Sequence, residues 1–177
     1  MLGIVGLGYV GFTSLLGFTQ YSSKTIGYDI SSKLIDDLKS GILHISDNEM
    51  NKHYQDNFKN LNLTSDFSDL SQCTDIIVAV PTEASEIGLD LSIVESVLDQ
   101  IANLSNDVVI WIRSTIDDPD LLNKLSQKYE NTIIFFPEFL REGKCWKDFN
   151  QPSLTVIGST SLKKNNFLLE LIKKKYR

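Results

Sequence analysis

The run Leu2-Gly3-Ile4-Val5-Gly6-Leu7-Gly8-Tyr9-Val10-Gly11 constrains this chain more than any other stretch. Leu2, Ile4 and Val5 read as a buried strand, and the glycines at positions 6, 8 and 11 then fall as G-x-G-x-x-G. In a strand–turn–helix unit each has a mechanical task. Gly6 makes the tight turn, Gly8 leaves the backbone bare to a diphosphate, and Gly11 lets the new helix pack closely on the strand. The free N–H groups and positive dipole end of that helix then face the phosphates. Alone, the motif is weak. Here a second strand follows, Thr25-Ile26-Gly27-Tyr28-Asp29, and its terminal carboxylate stands where it would accept hydrogen bonds from the ribose hydroxyls of a dinucleotide. That placement favours a ribose role for Asp29 over that of a polar residue merely ending a strand. A carboxylate there also repels a 2′-phosphate, which favours NAD over NADP.

The first 23 residues carry no charge, a pattern that a hydropathy scan alone reads as a signal peptide or a membrane span. They lack a basic leading region and a small-residue cleavage site. Five glycines among them (3, 6, 8, 11 and 17) would also weaken a spanning helix. A buried strand and a helix laid on a sheet account for the missing charge, so we expect no targeting segment and no membrane partner. A net charge of −6 over 177 residues argues against nucleic acid, whose phosphates need a basic surface. Cys73 and Cys145 form no metal or disulfide spacing, and a reducing, cytoplasmic setting follows.

Further along, strand-like and helix-like segments alternate. Helical patterns cover residues 10–20, 32–40, 46–58, 92–104, 119–129 and 162–176, and strands cover 2–5, 25–29, 61–64, 75–80, 108–112, 132–136 and 154–157. Ser46 with Glu49, and Ser92 with Glu95, look like capping boxes, and Asp118-Pro119 reads as an N-cap followed by proline at the first helical position. Residues 66–72 read as a turn or single helical turn, and 83–90 as loop. The run 75–80 is almost wholly apolar without alternation, which fits a parallel strand covered on both faces. Strands alternating with helices, joined by right-handed crossovers, imply an α/β, Rossmann-like doubly wound, mostly parallel sheet with helices on both faces. The expected division is a dinucleotide-binding domain over 1–160 and a C-terminal amphipathic helix over 161–177. In such sheets ligands bind at the carboxyl ends of the strands, which directs attention to residues 6–11, Asp29, Pro81-Thr82, Ser114-Thr115 and 138–142.

Those strand ends resemble, in order, one known family. The segments Gly6-Leu7-Gly8-Tyr9-Val10-Gly11, Tyr28-Asp29-Ile30 with Lys33, Val80-Pro81-Thr82, Arg113-Ser114-Thr115-Ile116 and Pro137-Glu138-Phe139-Leu140-Arg141-Glu142-Gly143 are similar to the NAD-binding N-terminal domain of the UDP-glucose/GDP-mannose dehydrogenases. The resemblance covers nearly the whole chain, and the last segment is its most specific part. It implies NAD-dependent oxidation of a nucleotide-sugar C6 hydroxyl to a carboxylate, with two NAD⁺ used in succession. It also implies roles. Gly6, Gly8, Tyr9, Val10 and Gly11 would hold the diphosphate, and Asp29 and Lys33 the adenosine end. Thr82, Thr115 and Glu142 would meet the cofactor nearer the nicotinamide. Glu138, Phe139, Leu140, Arg141 and Glu142 would border the sugar, with Glu138 and Glu142 as acid/base groups and Thr115 positioning a water. Hydride removal and thioester hydrolysis both need a proton acceptor near C6, and partial desolvation raises a carboxylate toward that task. The implied partners are a nucleotide sugar and either a separate C-terminal domain or a second copy of the chain. The family's central helix and nucleophilic cysteine are absent from the sequence, and neither Cys73 nor Cys145 stands in the nucleophile's context.

Two segments depart from the family pattern. Asp117-Asp118-Pro119-Asp120 replaces a Pro-Pro-Gly-Thr-like run, and Glu83 follows Val-Pro-Thr where proline is usual. Both place carboxylates beside loops that the resemblance assigns to an anionic cofactor. They motivate a rival reading, a non-catalytic dinucleotide-binding or regulatory module with a degenerate site. Some readings stay open at this level. Arg141 has Glu138 or a substrate phosphate as partner, and Thr82 and Thr115 have helix capping as an alternative task. The spacing of Glu138 and Glu142 puts them on one side only if the segment is helical. Cys73 and Cys145 read as small buried hydrophobes, His44 and His53 as surface residues, and Lys163, Lys164, Lys173, Lys174 and Lys175 as a solvated helix face. No metal site is expected.

Overall fold

In the computed structural model, residues 1–85, 88–105, 107–118, 120–159 and 167–175 are described. Seven strands form one sheet in the order β3-β2-β1-β4-β7-β8-β9. They are β1 (Leu2–Val5), β2 (Thr25–Tyr28), β3 (Leu63–Thr64), β4 (Asp75–Val78), β7 (Val109–Ile112), β8 (Ile133–Phe135) and β9 (Gly158–Ser159). All neighbours run parallel except β9, which returns antiparallel to β8. The chain builds outward from β1 in one direction through β2 and β3. It then crosses back to continue through β4, so the strand order reverses between β1 and β4. The expected doubly wound sheet is present.

Side chains alternate across the sheet and are apolar on both sides, as a sheet covered on both faces requires. Leu2, Ile4, Ile77, Trp111 and Ile134 face one core, shared with α1 (Tyr9–Thr19), α3 (Asn48–Asn57), α6 (Cys145–Asn150) and α7 (Phe167–Lys175). Val5, Ile76, Val78, Ile110 and Ile112 face the other, shared with α4 (Ser92–Leu104) and α5 (Leu121–Lys128). The remaining helix, α2 (Ser32–Lys39), is capped by the hydroxyl of Ser31, which accepts from Leu34 N–H. The start of α7 is fixed by Asp75, whose carboxylate is buried. It accepts from the Trp111 indole at 3.0 Å, from Thr74 Oγ1 at 2.9 Å and from the main-chain N–H of Phe167 at 3.2 Å.

Several local expectations are corrected. Within 83–90 two short strands, β5 (Glu83–Ser85) and β6 (Gly88–Asp90), pair antiparallel, so the segment is not loop alone. Residues 154–157 are not a strand. Among the described residues the last strand pairs with β8 at Gly158–Ser159, in register with Phe135 and Ile134. The cap of α3 is Asp47, one residue beyond Ser46, accepting from Met50 N–H at 3.0 Å. Ser92 does not cap α4, and Asp118 Oδ1 accepts from Asp120 N–H at 2.9 Å just ahead of the regular turns of α5. The helix α4 opens at Leu91 and α5 at Asp120 without side-chain caps, while Pro119 lies outside the described residues. The helix α6 lay in no expected segment.

Of the isolated polar residues, His44 is exposed and meets Asp37 at 2.9 Å. His53 is half-buried and stacks on the Trp146 ring at 4.6 Å, where burial pushes its imidazole pKa down. It is therefore not a surface residue. Lys173 and Lys174 are solvated, but Lys175 lies over the Phe149 ring at 4.3 Å and donates to the Phe149 carbonyl. Lys163 and Lys164 fall outside the described residues.

Candidate functional site

At the carboxyl ends of β1 and β4, where the strand order reverses, lies a cleft of about 960 Å³. Open α/β sheets place ligands at this point, and the volume suits a cofactor-sized molecule. The glycine loop forms its floor. Gly6 turns at φ +86°, and a β-carbon there would sit 2.6 Å from the Ala79 carbonyl oxygen. A β-carbon on Gly11 would lie 1.8 Å from the Gly6 carbonyl oxygen. Protein packing therefore demands both glycines.

Gly8 is different. Its backbone is ordinary (φ −63°, ψ −172°), and a β-carbon there would meet nothing within 4 Å. Neither the turn nor the packing explains the missing side chain, and Gly8 lines the cleft. The space it leaves fits a group from outside the chain. The first intrahelical bond of α1 runs from Phe12 N–H to Gly8 O at 2.9 Å, which leaves the preceding N–H groups of Tyr9, Val10 and Gly11 without helical partners. That combination of room and donors fits a diphosphate.

One end of the cleft is built from the end of β2 and the first turns of α4. The Asp29 carboxylate accepts from Leu7 N–H at 2.8 Å and from Ser31 N–H at 2.9 Å, so it is held beside the glycine loop. Ile30, 86% exposed, Leu34 and Ile93 give the lining apolar side chains, and Ser96 and Gln100 give it polar ones. Apolar surface of this kind suits the flat face of an adenine. These residues were missed from sequence as ligand contacts. Nothing in the sequence marked them: Ile30 follows a strand, and Ile93, four residues before Val97, falls by spacing on the apolar face of α4, yet both are exposed. Lys33 is not among the residues lining the cleft. Its ammonium meets Asp37 at 2.7 Å, one helical turn on.

At the other end the cleft is lined by Tyr9, Thr82, Arg113, Thr115 and Glu138. Ser114 Oγ donates to the Val80 carbonyl at 2.8 Å and so ties the ends of β7 and β4 together. Neither Thr82 nor Thr115 caps a helix. Arg113 is buried, its guanidinium 4.6 Å from the centre of the Phe136 ring. The Glu138 carboxylate accepts from Leu140 N–H, which turns the segment after β8. Burial, with the nearby charges of Glu138, Cys145 and Glu142, pushes the Tyr9 phenol pKa up. Glu142 is exposed and does not line the cleft, because residues 137–143 are not helical and the four-residue spacing does not align the two carboxylates. Phe139, Leu140 and Arg141 face a second cavity of about 370 Å³, which shares Arg113 and Glu138 with the first. Arg141 does not pair with Glu138. It grips Asp148.

The acidic departures are not among the residues that line the cleft. Asp117 accepts from Leu89 N–H at 3.0 Å, and Asp118 meets Lys124 at 2.6 Å, a hydrogen bond that holds the Asp118 carboxyl below its usual pKa. Glu83 sits on β5, opposite Asp90. Both thiols are buried. Desolvation pushes Cys73 up to about 11 and also raises Cys145. Among the described residues no cluster of His, Cys, Asp and Glu could hold a metal ion, and no helix is long and apolar enough to cross a membrane.

Residues 1–176 match the family model described as the NAD binding domain of the UDP-glucose/GDP-mannose dehydrogenase family. The chain belongs to that family. NAD is accordingly its cofactor, and the space at Gly8 and the acid at Asp29 fit it. The UDP-glucose 6-dehydrogenase of Campylobacter jejuni is 30% identical over 90% of this chain, and the match covers 42% of that protein. UDP-glucose 6-dehydrogenase TuaD of Bacillus subtilis is 31% identical over 96% of this chain and 40% of its own. The fold of GDP-mannose dehydrogenase from Pseudomonas aeruginosa, solved as a ternary complex, superimposes with a TM-score of 0.85 at 27% identity, covering 98% of this chain and 44% of that one. The chain thus spans about two-fifths of the length of the curated relatives it matches.

Proposed function

We propose that this chain holds NAD along the larger cleft as the cofactor-binding half of a nucleotide-sugar 6-dehydrogenase of the UDP-glucose type, which oxidises the sugar C6 hydroxyl to a carboxylate. The observation that carries the reading is Gly8, a glycine that the fold does not need and that opens onto a helix N-terminus. The diphosphate lies over Gly6 to Gly11, the adenosine ribose on Asp29, and the nicotinamide toward Thr82 and Thr115. The family resemblance adds Lys33 at the adenosine end and Glu142 near the nicotinamide. Phe139, Leu140 and Arg141 border the sugar.

When bound, NAD supplies the hydride acceptor. The chain's own residues prepare the donor. Glu138, at the cleft end beside Thr115, takes the proton that the C6 hydroxyl releases, Thr115 orients a water, and Glu142 serves as a second acid/base group from the rim. Passing from alcohol to acid takes two hydride removals and one water. The intermediate oxidation level needs a nucleophile to hold it. Both thiols here are buried with raised pKa, so neither is a ready thiolate. The nucleophile therefore comes from beyond these residues, from a C-terminal domain or a partner chain.

Titrating the purified chain with NADH, followed by nicotinamide fluorescence, tests the proposal. Saturable binding displaced by NAD⁺ is expected, with no conversion of UDP-glucose to the acid by these residues alone. Absence of NADH binding would overturn the cofactor assignment, and full oxidation by the chain would overturn the division of labour. The bonds of Asp117 and Asp118 to partners outside the cleft weigh against the rival reading of a degenerate regulatory module, and the same titration decides it, since that reading predicts no NADH binding.

A further inference from the structure

Residues 137–143 carry Glu138 to the cleft without regular secondary structure. A segment with no helix or strand bonds of its own needs an outside anchor to keep one conformation. That anchor is Asp148 on α6. Its Oδ2 accepts from the main-chain N–H of Arg141 at 3.0 Å and from Arg141 Nε at 2.9 Å, and its Oδ1 accepts from Nη2 at 2.6 Å. The Asp148 side chain is 14% exposed and that of Arg141 66%. The carboxylate is thus the enclosed member, and the arginine closes over it from the solvent side. The Arg141 carbonyl is held as well, by Lys144 N–H at 2.9 Å and the Cys145 thiol at 3.3 Å.

The helix α6 is itself keyed to the helix that carries the glycine loop. A β-carbon on Gly17 of α1 would fall 2.2 Å from the Phe149 ring, so that ring occupies the notch that the glycine provides. A fixed path of packed groups therefore runs from the glycine loop along α1, through Phe149 and Asp148, to Arg141 and Glu138.

We propose that Asp148 is a positioning residue. By gripping Arg141 at main chain and side chain together, it sets residues 138–141 at the distance from the glycine loop that the nicotinamide half of the cofactor requires. The inference rests on the cofactor lying in the larger cleft. It gives Arg141 a task that the sequence did not suggest, as the jaw of a bidentate clamp. A pair whose arginine is largely in solvent adds little stability, so geometry is what the clamp supplies.

The test compares NADH with ADP-ribose, which lacks only the nicotinamide end, by calorimetric titration of the parent chain, Asp148→Asn and Asp148→Glu. In Asp148→Asn the affinity for NADH is expected to fall about fivefold or more, as misplacement of a positioning group does. The affinity for ADP-ribose should stay within about twofold, less than 0.5 kcal/mol. Asp148→Glu keeps the charge but sets the oxygens one methylene farther out, and its ratio should lie between. Should Asp148→Asn not fold, the lowered ratio in Asp148→Glu decides. A parent-like ratio in every folded variant, or a parallel loss of both ligands, would overturn the positioning role. Failure of the parent to bind ADP-ribose would instead remove the cofactor assignment, and this inference with it.

Discussion

The main-chain N–H of Leu7 donates to the carboxylate of Asp29 at 2.8 Å. One acid therefore braces the turn that carries the phosphates and faces the sugar next to them. A residue used only for ribose binding could be removed without harm to the fold. Asp29→Ala leaves the N–H of a buried Leu7 without its charged acceptor, and should destabilise the protein by about 1–3 kcal/mol as well as weaken NADH. Urea unfolding and NADH titration of the same variant check both effects. Unchanged stability would show that the brace is unimportant.

The glycines separate binding from folding. In Gly8→Ala the new methyl group meets no protein atom within 4 Å, so the melting temperature should stay at the parent value while NADH affinity drops at least tenfold, about 1.4 kcal/mol. In Gly11→Ala the methyl group would lie 1.8 Å from the Gly6 carbonyl oxygen, and a loss of stability of about 3 kcal/mol is expected. Thermal melts of the two proteins beside their NADH titrations give the comparison.

The clamp predicts its own acid dependence. The Arg141 guanidinium holds the Asp148 carboxyl down at about 2, below the ordinary aspartate value of about 3.9. A carboxyl with a depressed folded-state pKa contributes its stability in full above the unfolded value, and loses it as pH falls through the folded one. The contribution should therefore fade between about pH 4 and 2. Carbon-detected NMR titration of Asp148 checks the value. In Arg141→Met it should move back toward the ordinary one.

Asp47 is placed to cap two helices at once. Its buried carboxylate accepts from Met50 N–H at the start of α3 at 3.0 Å and from Trp146 N–H at the start of α6 at 2.9 Å. Ser31 caps α2 alone, at an exposed site. Asp47→Ala should cost about 2–4 kcal/mol and Ser31→Ala about 1 kcal/mol, measured by denaturant unfolding. Equal losses would mean that the bond to α6 adds nothing.

What the sequence made legible was what repeats or is local. The all-apolar strands, the glycine spacing and the acid one strand over led directly to a doubly wound sheet and to the cleft at its switch point. What stayed hidden depends on distant partners. The helix α6 has only six residues and two buried side chains, Cys145 and Phe149, and it exists because α1 offers a notch at Gly17. The Arg141–Asp148 pair spans seven residues, a separation that no regular element predicts. Ile30 and Ile93 are apolar side chains left in the open, and a sequence cannot distinguish such a residue from core. The paired strands within residues 83–90 have three residues each, too short to show a period.

The central claim is that the cofactor runs from Asp29 across Gly8 to Glu138, and amide NMR of the labelled chain titrated with NAD⁺ tests it most directly. The account predicts one continuous set of shifted signals, from Tyr28 to Ile30, Gly6 to Gly11, Ile93 to Gln100, Thr115 and Glu138, all lost in Gly8→Val while the remaining spectrum is kept. Shifts confined elsewhere on the surface, or an unchanged set in Gly8→Val, would contradict it.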